Sequence, residues 1–445
     1  MSGNKQHGDT RRSIPWRGEG LAAQLLRGGA GGLMARVSEV LLGFVVVVFF
    51  ARLLGPAGYG VYAFVFALMS LAAMPARAGL PPLIVRETAR GQRSGDWPAV
   101  RGIWRWANGV ALSLSLLIAA GGLLGLWLGW ARGEALRETL AWGLGLVPLL
   151  ALAGIRSASL RGLRHVFAGV FPEQVLRPGL LAVALLVVLT WSGKDISPAD
   201  AMGLTVAAAL VAFVVGAWLL RRYRPNEVTG AVPRYQHGAW MAAAWPMALT
   251  QGFQQLNRHA DVLLLGLLAA TVDVGVYRVA AQGALLVSLG LTALNMVAAP
   301  FAARLHVDAE RHKLQKLVRR TAQAALAFAL PATLLFVAFG DWLLVTLFGA
   351  EFRGAYWPLV VLAIGQLVNA WFGPTGMLLN MTGFEREVTR AVAVAAGMNV
   401  VLNLLLIPPF GVVGAAIATS ASLVFWNVWL WLVARWRLGV NCSAF

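Results

Sequence analysis

Twelve stretches of mostly apolar residues follow one another along this 445-residue chain, and they constrain its fold more than any other feature. A helix needs about 20 apolar residues to cross the roughly 30 Å hydrocarbon core of a bilayer. Runs such as Leu41 to Phe50 do not alternate apolar with polar residues, so the short strands of a membrane β-barrel are excluded. The sequence therefore predicts an all-α polytopic membrane protein with about 12 transmembrane helices, at 31–54, 61–80, 105–130, 139–156, 174–192, 199–220, 240–269, 275–301, 320–340, 355–381, 388–407 and 411–434.

The distribution of basic residues predicts the orientation in the membrane. Charged residues make up only 13% of the chain, against about a quarter in soluble domains, although the net charge is +18. With the N-terminus inside, the outer loops hold few basic residues, and both termini are predicted to be cytoplasmic; these outer residues are Arg52, Arg132, Arg137, Lys194 and Arg353. The excess charge then faces anionic phospholipids, which excludes nucleic acid as the partner. The preference for Arg over Lys is typical of a GC-rich genome, so we expect a bacterial inner (plasma) membrane.

A short motif suggests that the chain contains an internal repeat. Gly60-Val61-Tyr62 returns as Gly275-Val276-Tyr277, 215 residues later, near the starts of predicted spans 2 and 8. Six spans in each half would give both halves the same orientation, which is a parallel repeat of two six-helix lobes. The alternative is coincidence in a sequence rich in Gly, Ala, Val and Leu. The predicted divisions are a cytoplasmic N-terminal tail (1–30), an N-terminal lobe (31–220), a cytoplasmic linker (221–238), a C-terminal lobe (239–435) and a cytoplasmic C-terminal tail (436–445).

The sequence lacks the common motifs of catalysis and of nucleotide or metal binding. Phosphate-binding GxxxxGK[ST], HExxH, CxxC and GxSxG are all absent, and Cys442 is the single cysteine. The acidic residues of the predicted outer loops are few and lie on short connections. We therefore predict no cofactor, no metal site and no catalytic residue, and we disfavour an enzyme.

Polar residues inside predicted spans are the candidates for a binding site, because ionisable groups at membrane depth are costly and usually face a cavity or a partner. In span 7, three amides and a guanidinium share one helical face, with Asp261 beside it; these are Gln251, Gln254, Gln255 and Arg258. They either face a substrate cavity or, for Arg258 with Asp261, form an interhelical pair that fixes the bundle. We predict that the face binds substrate.

Two further spans add candidates of the same kind. Arg278 and Gln282 lie on one side of span 8, and Arg36 with Glu39 forms an i,i+3 pair in span 1 that either neutralises itself or faces the cavity. We include Arg36, Arg278 and Gln282 in the predicted substrate site, and Asp261 and Glu39 are the candidates for coupling an ion to transport. Asn399 and Asn403 in span 11 are expected to join helices.

Several segments resemble a known family of transporters. ARLLGPAGYGVYAFVFALMSLAAMPARAGLPPLIVRETAR from Ala51, SLRGLRHVFAGVFPEQVLRPGLL, DVGVYRVA and NVVLNLLLIPPFGVVGAAIATSAS are similar to polysaccharide-biosynthesis flippases of the O-antigen type. This family belongs to the superfamily of multidrug, oligosaccharidyl-lipid and polysaccharide exporters, with the lipid II flippases and the multidrug-and-toxin extrusion (MATE) transporters. The resemblance covers nearly the whole chain and implies a MATE-like, V-shaped transporter.

The resemblance also implies a substrate and a mechanism. The expected activity is translocation of an undecaprenyl-pyrophosphate-linked glycan from the cytoplasmic to the outer leaflet by alternating access through a cationic cavity, with a downstream polysaccharide polymerase as a candidate partner. The alternatives are a cation-coupled drug antiporter on the same fold and, further off, a membrane glycan ligase or an assembly scaffold. An antiporter for organic cations should offer acids and aromatic rings, whereas span 7 offers Arg258 and amides.

Overall fold

The computed structural model describes residues 21–77, 79–192 and 196–445, and nearly all of them are helical. The α-helices in chain order are α1 Leu21–Arg77, α2 Leu80–Ser94, α3 Trp97–Trp127, α4 Glu134–Leu144, α5 Leu146–Gly162, α6 Val166–Phe171, α7 Arg177–Val187, α8 Pro198–Tyr223, α9 Asn226–Gly230, α10 His237–Leu268, α11 Thr271–Val307, α12 Arg311–Phe348, α13 Tyr356–Phe372, α14 Thr375–Met381 and α15 Glu385–Leu438. Short π-helices, Pro172–Leu176 and Val188–Ser192, flank α7, and a 3₁₀ turn, Ala350–Ala355, precedes α13.

Two of these helices are bent at a glycine and contain two predicted spans each. Gly55 in α1 (φ 64°) and Gly411 in α15 (φ 53°) have left-handed backbone angles that other residues rarely adopt. Among the described residues, nine helices are long and apolar enough to cross a membrane, and the bent ones, Gly31–Arg77 and Glu385–Leu438, are long enough to cross twice. Counting each bent helix as two spans and adding the more polar α10 gives the 12 predicted spans. The predicted fold class is confirmed.

Matching hydrogen bonds in the two halves support the predicted repeat. The Tyr62 hydroxyl lies 3.0 Å from the Thr205 hydroxyl in the N-terminal half, and the Tyr277 hydroxyl lies 3.0 Å from the Thr419 hydroxyl in the C-terminal half. In each half the bond joins the helix that carries Gly-Val-Tyr to the last helix of that half. The repeated tyrosine therefore has the same packing role in both lobes.

The two lobes meet at one end of the molecule through a continuous apolar core. This core contains Phe50 and Met202 from the N-terminal lobe and Leu344 and Ile407 from the C-terminal lobe. At the other end a smaller cluster around Ile103 joins α2, α3 and α5 to Trp240 and Ala244 of α10, and a separate cluster lies within the C-terminal lobe.

Both ends of the chain differ from the predicted tails. Residues 1–20 of the tail predicted at 1–30 lie outside the described residues, as does Lys194, and α1 already begins at Leu21. At the C-terminus, α15 extends to Leu438 and the predicted cytoplasmic tail at 436–445 packs against the C-terminal lobe, with Val440, Cys442 and Ala444 buried. The Gln315 side chain donates through Nε2 to the Asn441 carbonyl at 2.6 Å, and its Oε1 accepts from the Asn441 backbone N–H at 2.7 Å. These two bonds satisfy backbone groups that burial would otherwise leave unpaired.

Candidate functional site

A polar cavity of about 230 Å³ lies between the two lobes, where α1, α2 and α5 face α10. Its polar lining consists of Arg77, Ser157, Arg161, Gln251, Gln254 and Gln255. The first three come from the N-terminal lobe and the amides from α10. A cavity lined jointly by two lobes changes shape whenever the lobes move, as the binding site of an alternating-access transporter must.

The three glutamines predicted for the site all line this cavity. Gln251, Gln254 and Gln255 are three and four residues apart on α10, so their side chains project from one face of the helix. Pro246 lies one turn before them, and Gly252 on the same helix packs against Met74 of α1. Three amides offer both donors and acceptors to a polar ligand.

The cations of the cavity wall were missed at the sequence level. Arg77 lies at the end of α1 and Arg161 in the last turn of α5, positions typical of a cytoplasmic topology signal, and no local pattern marks them as cavity residues. The Nε atom of each guanidinium is buried and has no hydrogen-bond partner among the described residues. Because buried donors are almost always paired, these two unpaired guanidinium donors beside a cavity are available to a ligand or to water.

Arg258 lies one turn beyond the glutamines on α10, outside the cavity lining. It is within electrostatic range of Arg36, Glu39 and Arg278. Arg36 donates to Glu39 at 2.7 Å, so this pair largely neutralises itself, which was one of the two alternatives. Arg258 and Arg278 have no salt-bridge partner among the described residues.

The remaining span 8 candidates lie at the contact between the lobes and not in the cavity. Arg278 is half-buried and lies within electrostatic range of Tyr59 and Tyr62 on α1. The buried Gln282 amide nitrogen would lie 3.4 Å from a Cβ atom on Gly43 of α1. In this conformation Gln282 packs one lobe against the other and does not reach the cavity.

Asp261 faces away from the cavity, into the C-terminal lobe, and it does not pair with Arg258. Its Oδ2 accepts from the Tyr277 hydroxyl at 2.8 Å and its Oδ1 accepts from the Asn403 amide at 2.8 Å. The expectation that Asn403 joins helices is confirmed, since α15 thereby contacts α10. The Oδ1 atom of Asn403 itself is buried and has no hydrogen-bond partner among the described residues.

The chain is similar to known proteins over most of its length. The family model described as polysaccharide biosynthesis protein matches residues 49–357. A curated relative, the probable low-salt glycan biosynthesis flippase Agl15 of Haloferax volcanii, is 24% identical over 86% of this chain and 77% of its own length.

Two solved structures show the same fold. A multidrug resistance MATE family transporter in an inward-facing conformation matches with a TM-score of 0.75 and 16% identity, covering 92% of this chain and 98% of its own. The lipid II flippase MurJ in an inward closed conformation matches with a TM-score of 0.70 and 12% identity, covering 90% of this chain and 87% of its own. At these identities the likeness extends to the fold alone, which is that of the transporter superfamily predicted above.

Proposed function

The chain belongs to the polysaccharide biosynthesis protein family, and on that premise we propose that it is a flippase that moves a lipid-linked oligosaccharide from the cytoplasmic to the outer leaflet. We propose a polyprenyl-pyrophosphate carrier, with both termini of the protein in the cytoplasm of a bacterial cell. The cavity that joins amides with unpaired guanidinium groups is the observation that carries the proposal. The relative named as a glycan biosynthesis flippase supports it.

The chemistry of the cavity suits a glycan joined to a diphosphate. Such a substrate carries many hydroxyls and a concentrated negative charge, neither of which the hydrocarbon core solvates. The amides of Gln251, Gln254 and Gln255 can exchange hydrogen bonds with hydroxyls in both directions. Guanidinium groups bind phosphate oxygens through two parallel N–H donors, and Arg77 and Arg161 hold such donors at the cavity wall.

Arg258, Arg36 and Arg278 have a second role in the proposal. They lie close together at the centre of the molecule, outside the cavity in its present shape. When the lobes rock, the diphosphate is passed from Arg77 and Arg161 toward Arg258, while the polyprenyl chain stays in the lipid. A cavity of about 230 Å³ is smaller than the ~300–1,000 Å³ of typical ligand pockets, so loading requires the lobes to part.

The test of the proposed function is transport in proteoliposomes that contain a fluorescent polyprenyl-pyrophosphate oligosaccharide. Arg258→Ala and the double variant Arg77→Ala/Arg161→Ala should abolish flipping while the protein still accumulates and stays monodisperse. Arg304→Ala is the matched control, because this arginine is mostly exposed and, within the described part of the chain, pairs only with Asp308, one turn away. Flipping at the wild-type rate in both variants would remove these arginines from the mechanism, and uptake of organic cations instead of glycan would support the drug antiporter.

We propose that a monovalent cation bound at Asp261 couples transport to an ion gradient. The membrane potential alone is worth about 2.3 kcal/mol per charge per 100 mV and already favours the outward movement of an anion. A cation at Asp261 would complete the partners of Asn403 Oδ1 and add a second driving force. Glu39 is the weaker candidate, since Arg36 already neutralises it.

Ion binding at this site has a direct readout in stability. A ligand at 100 times its Kd stabilises the folded state by about 2.7 kcal/mol. We expect sodium, in exchange for choline, to raise the unfolding midpoint of the wild type and to leave that of Asp261→Asn unchanged. An equal response of both proteins to sodium would exclude Asp261 as the coupling site.

A further inference from the structure

The Gly-Val-Tyr motif of each lobe contacts the same motif of the other lobe. A Cβ atom built on Gly60 of α1 would overlap the Thr271 carbonyl oxygen and lie 3.2 Å from the Gly275 amide nitrogen. A Cβ atom on Gly275 of α11 would overlap the Pro56 carbonyl oxygen and lie 3.2 Å from the Gly60 amide nitrogen. The contact is reciprocal, as in a two-fold interface, and only glycine at both positions allows the two backbones to approach so closely.

The tyrosine of the motif explains why the pattern occurs twice. Two residues correspond to about 200° around a helix, so the glycine and the tyrosine face opposite sides. Tyr62 bonds Thr205 and Tyr277 bonds Thr419, each inside its own lobe. The motif therefore holds its helix in its own lobe with one face and presents a bare backbone to the other lobe with the opposite face.

Further contacts between the lobes lie at the same end of the molecule. Arg52 of α1 donates through Nε to the Leu347 carbonyl at 2.8 Å and through its Nη2 to the Thr346 carbonyl, at the C-terminal end of α12. A cation is favoured there, because the last carbonyls of a helix are unpaired and partly negative. Phe44 of α1 meets Phe348 of α12 edge to face, with ring centroids 5.8 Å apart.

This end of the molecule lies away from the cavity. Gly60 precedes Arg77 on α1 by about 25 Å of helix, which is most of the thickness of the hydrocarbon core. With both termini in the cytoplasm, the Gly55 bend that joins the first two spans lies outside. A substrate in the cavity cannot leave on that side while the two glycines remain in contact.

We infer that the Gly60–Gly275 crossing, latched by Arg52, is the outer gate of the transporter. Opening toward the outer leaflet separates these two backbones and breaks the bonds from Arg52 to α12. The inference rests on the proposed transport only in requiring that the cavity open outward. Substitutions that force the backbones apart should shift the resting population toward the outward-open state without any substrate.

The gate can be read with a single cysteine reporter in the cavity. Ser157→Cys is nearly isosteric and places a thiol in the cavity wall. The native Cys442 is fully buried, and burial raises the pKa of its thiol to about 12, so it stays silent toward maleimides. The assay measures labelling by a membrane-impermeant maleimide in intact cells and, separately, in inverted vesicles.

We expect Gly60→Ala and Gly275→Ala to speed labelling from the outside and to slow it from the inside. A minor conformation is typically about 0.1–10% populated, so bringing the outward-open state to about half should speed outside labelling about fivefold or more. Gly121→Ala is the matched control, because a Cβ atom there meets nothing within 4 Å. The control should label at the rate of the reporter alone.

Arg52→Ala covers the case in which the glycine variants fail to accumulate. Arg52 is exposed and its bonds to α12 can be lost without overpacking, so the variant should fold and show faster outside labelling in the same assay. Unchanged outside labelling in folded Arg52→Ala, and in whichever glycine variants fold, would overturn the gate. Because labelling reports the conformation of the lobes and not the movement of a substrate, this result is distinct from a failure of the flippase proposal, which the transport assay reports.

Discussion

The two lobes offer a matched pair of tyrosines that tests whether Asp261 is ionised. Tyr277 and Tyr62 are both buried in corresponding positions, and each hydroxyl bonds a threonine at 3.0 Å. Only Tyr277 also donates to a carboxylate, Asp261, at 2.8 Å, because the position 215 residues before Asp261 holds Val46. Both oxygens of Asp261 accept hydrogen bonds, which is the pattern of an ionised carboxylate.

The perturbation is the replacement of each tyrosine by phenylalanine. A hydrogen bond to a charged group contributes roughly 1.5–3 kcal/mol, whereas polar bonds between membrane helices average about 0.6 kcal/mol. We therefore expect Tyr277→Phe to lower the free energy of unfolding by about 1 kcal/mol or more beyond the loss in Tyr62→Phe. The difference arises because the variant leaves a buried carboxylate with one donor fewer.

Equilibrium unfolding by SDS in mixed micelles, followed by the fluorescence of the 18 tryptophans, measures the two losses. Repeating Tyr277→Phe in an Asp261→Asn background completes a double-mutant cycle and isolates the interaction between the two side chains. Equal losses in Tyr62→Phe and Tyr277→Phe, or a coupling energy near 0.6 kcal/mol, would show that Asp261 is neutral and would refute the reasoning.

Further predictions concern the C-terminal segment and its surroundings. Gly373→Ala should lower the free energy of unfolding by about 1–3 kcal/mol, because φ is 66° and a Cβ atom there would meet Ala322 and the Cys442 carbonyl. Gly439→Ala, which has the same φ but open space around it, should lower it less, and SDS unfolding compares the two variants. The Cys442 thiol should react with a small maleimide at pH 8 only after unfolding, because burial raises its pKa to about 12; labelling of the folded protein would contradict its burial. Gln315→Ala should detach the Asn441 backbone, and limited carboxypeptidase digestion followed by mass spectrometry should then trim the chain faster than in the wild type.

The structure corrects the sequence-based interpretation mainly where residues distant in the chain meet. The three glutamines of α10 were found because residues three and four apart share a helical face. Arg77 and Arg161 were missed because each looks like an ordinary basic residue at the end of a span, and only the approach of α5 and α1 to α10 puts them in one cavity wall. Asp261 lies next to Arg258 by sequence spacing, yet it does not pair with Arg258 because Tyr277 and Asn403 bind it from neighbouring helices.

The sequence by itself determined that this chain is a helical membrane protein with 12 apolar spans and a repeated Gly-Val-Tyr motif. These features depend on composition and on local periodicity, since a bilayer requires long apolar helices whatever their neighbours are. The tertiary structure alone decided which polar groups share the cavity and that Gly60 and Gly275 touch across the lobes. The residues concerned lie on helices far apart in the chain, with 215 positions between the two glycines, and helical periodicity carries no information on how separate helices turn toward each other.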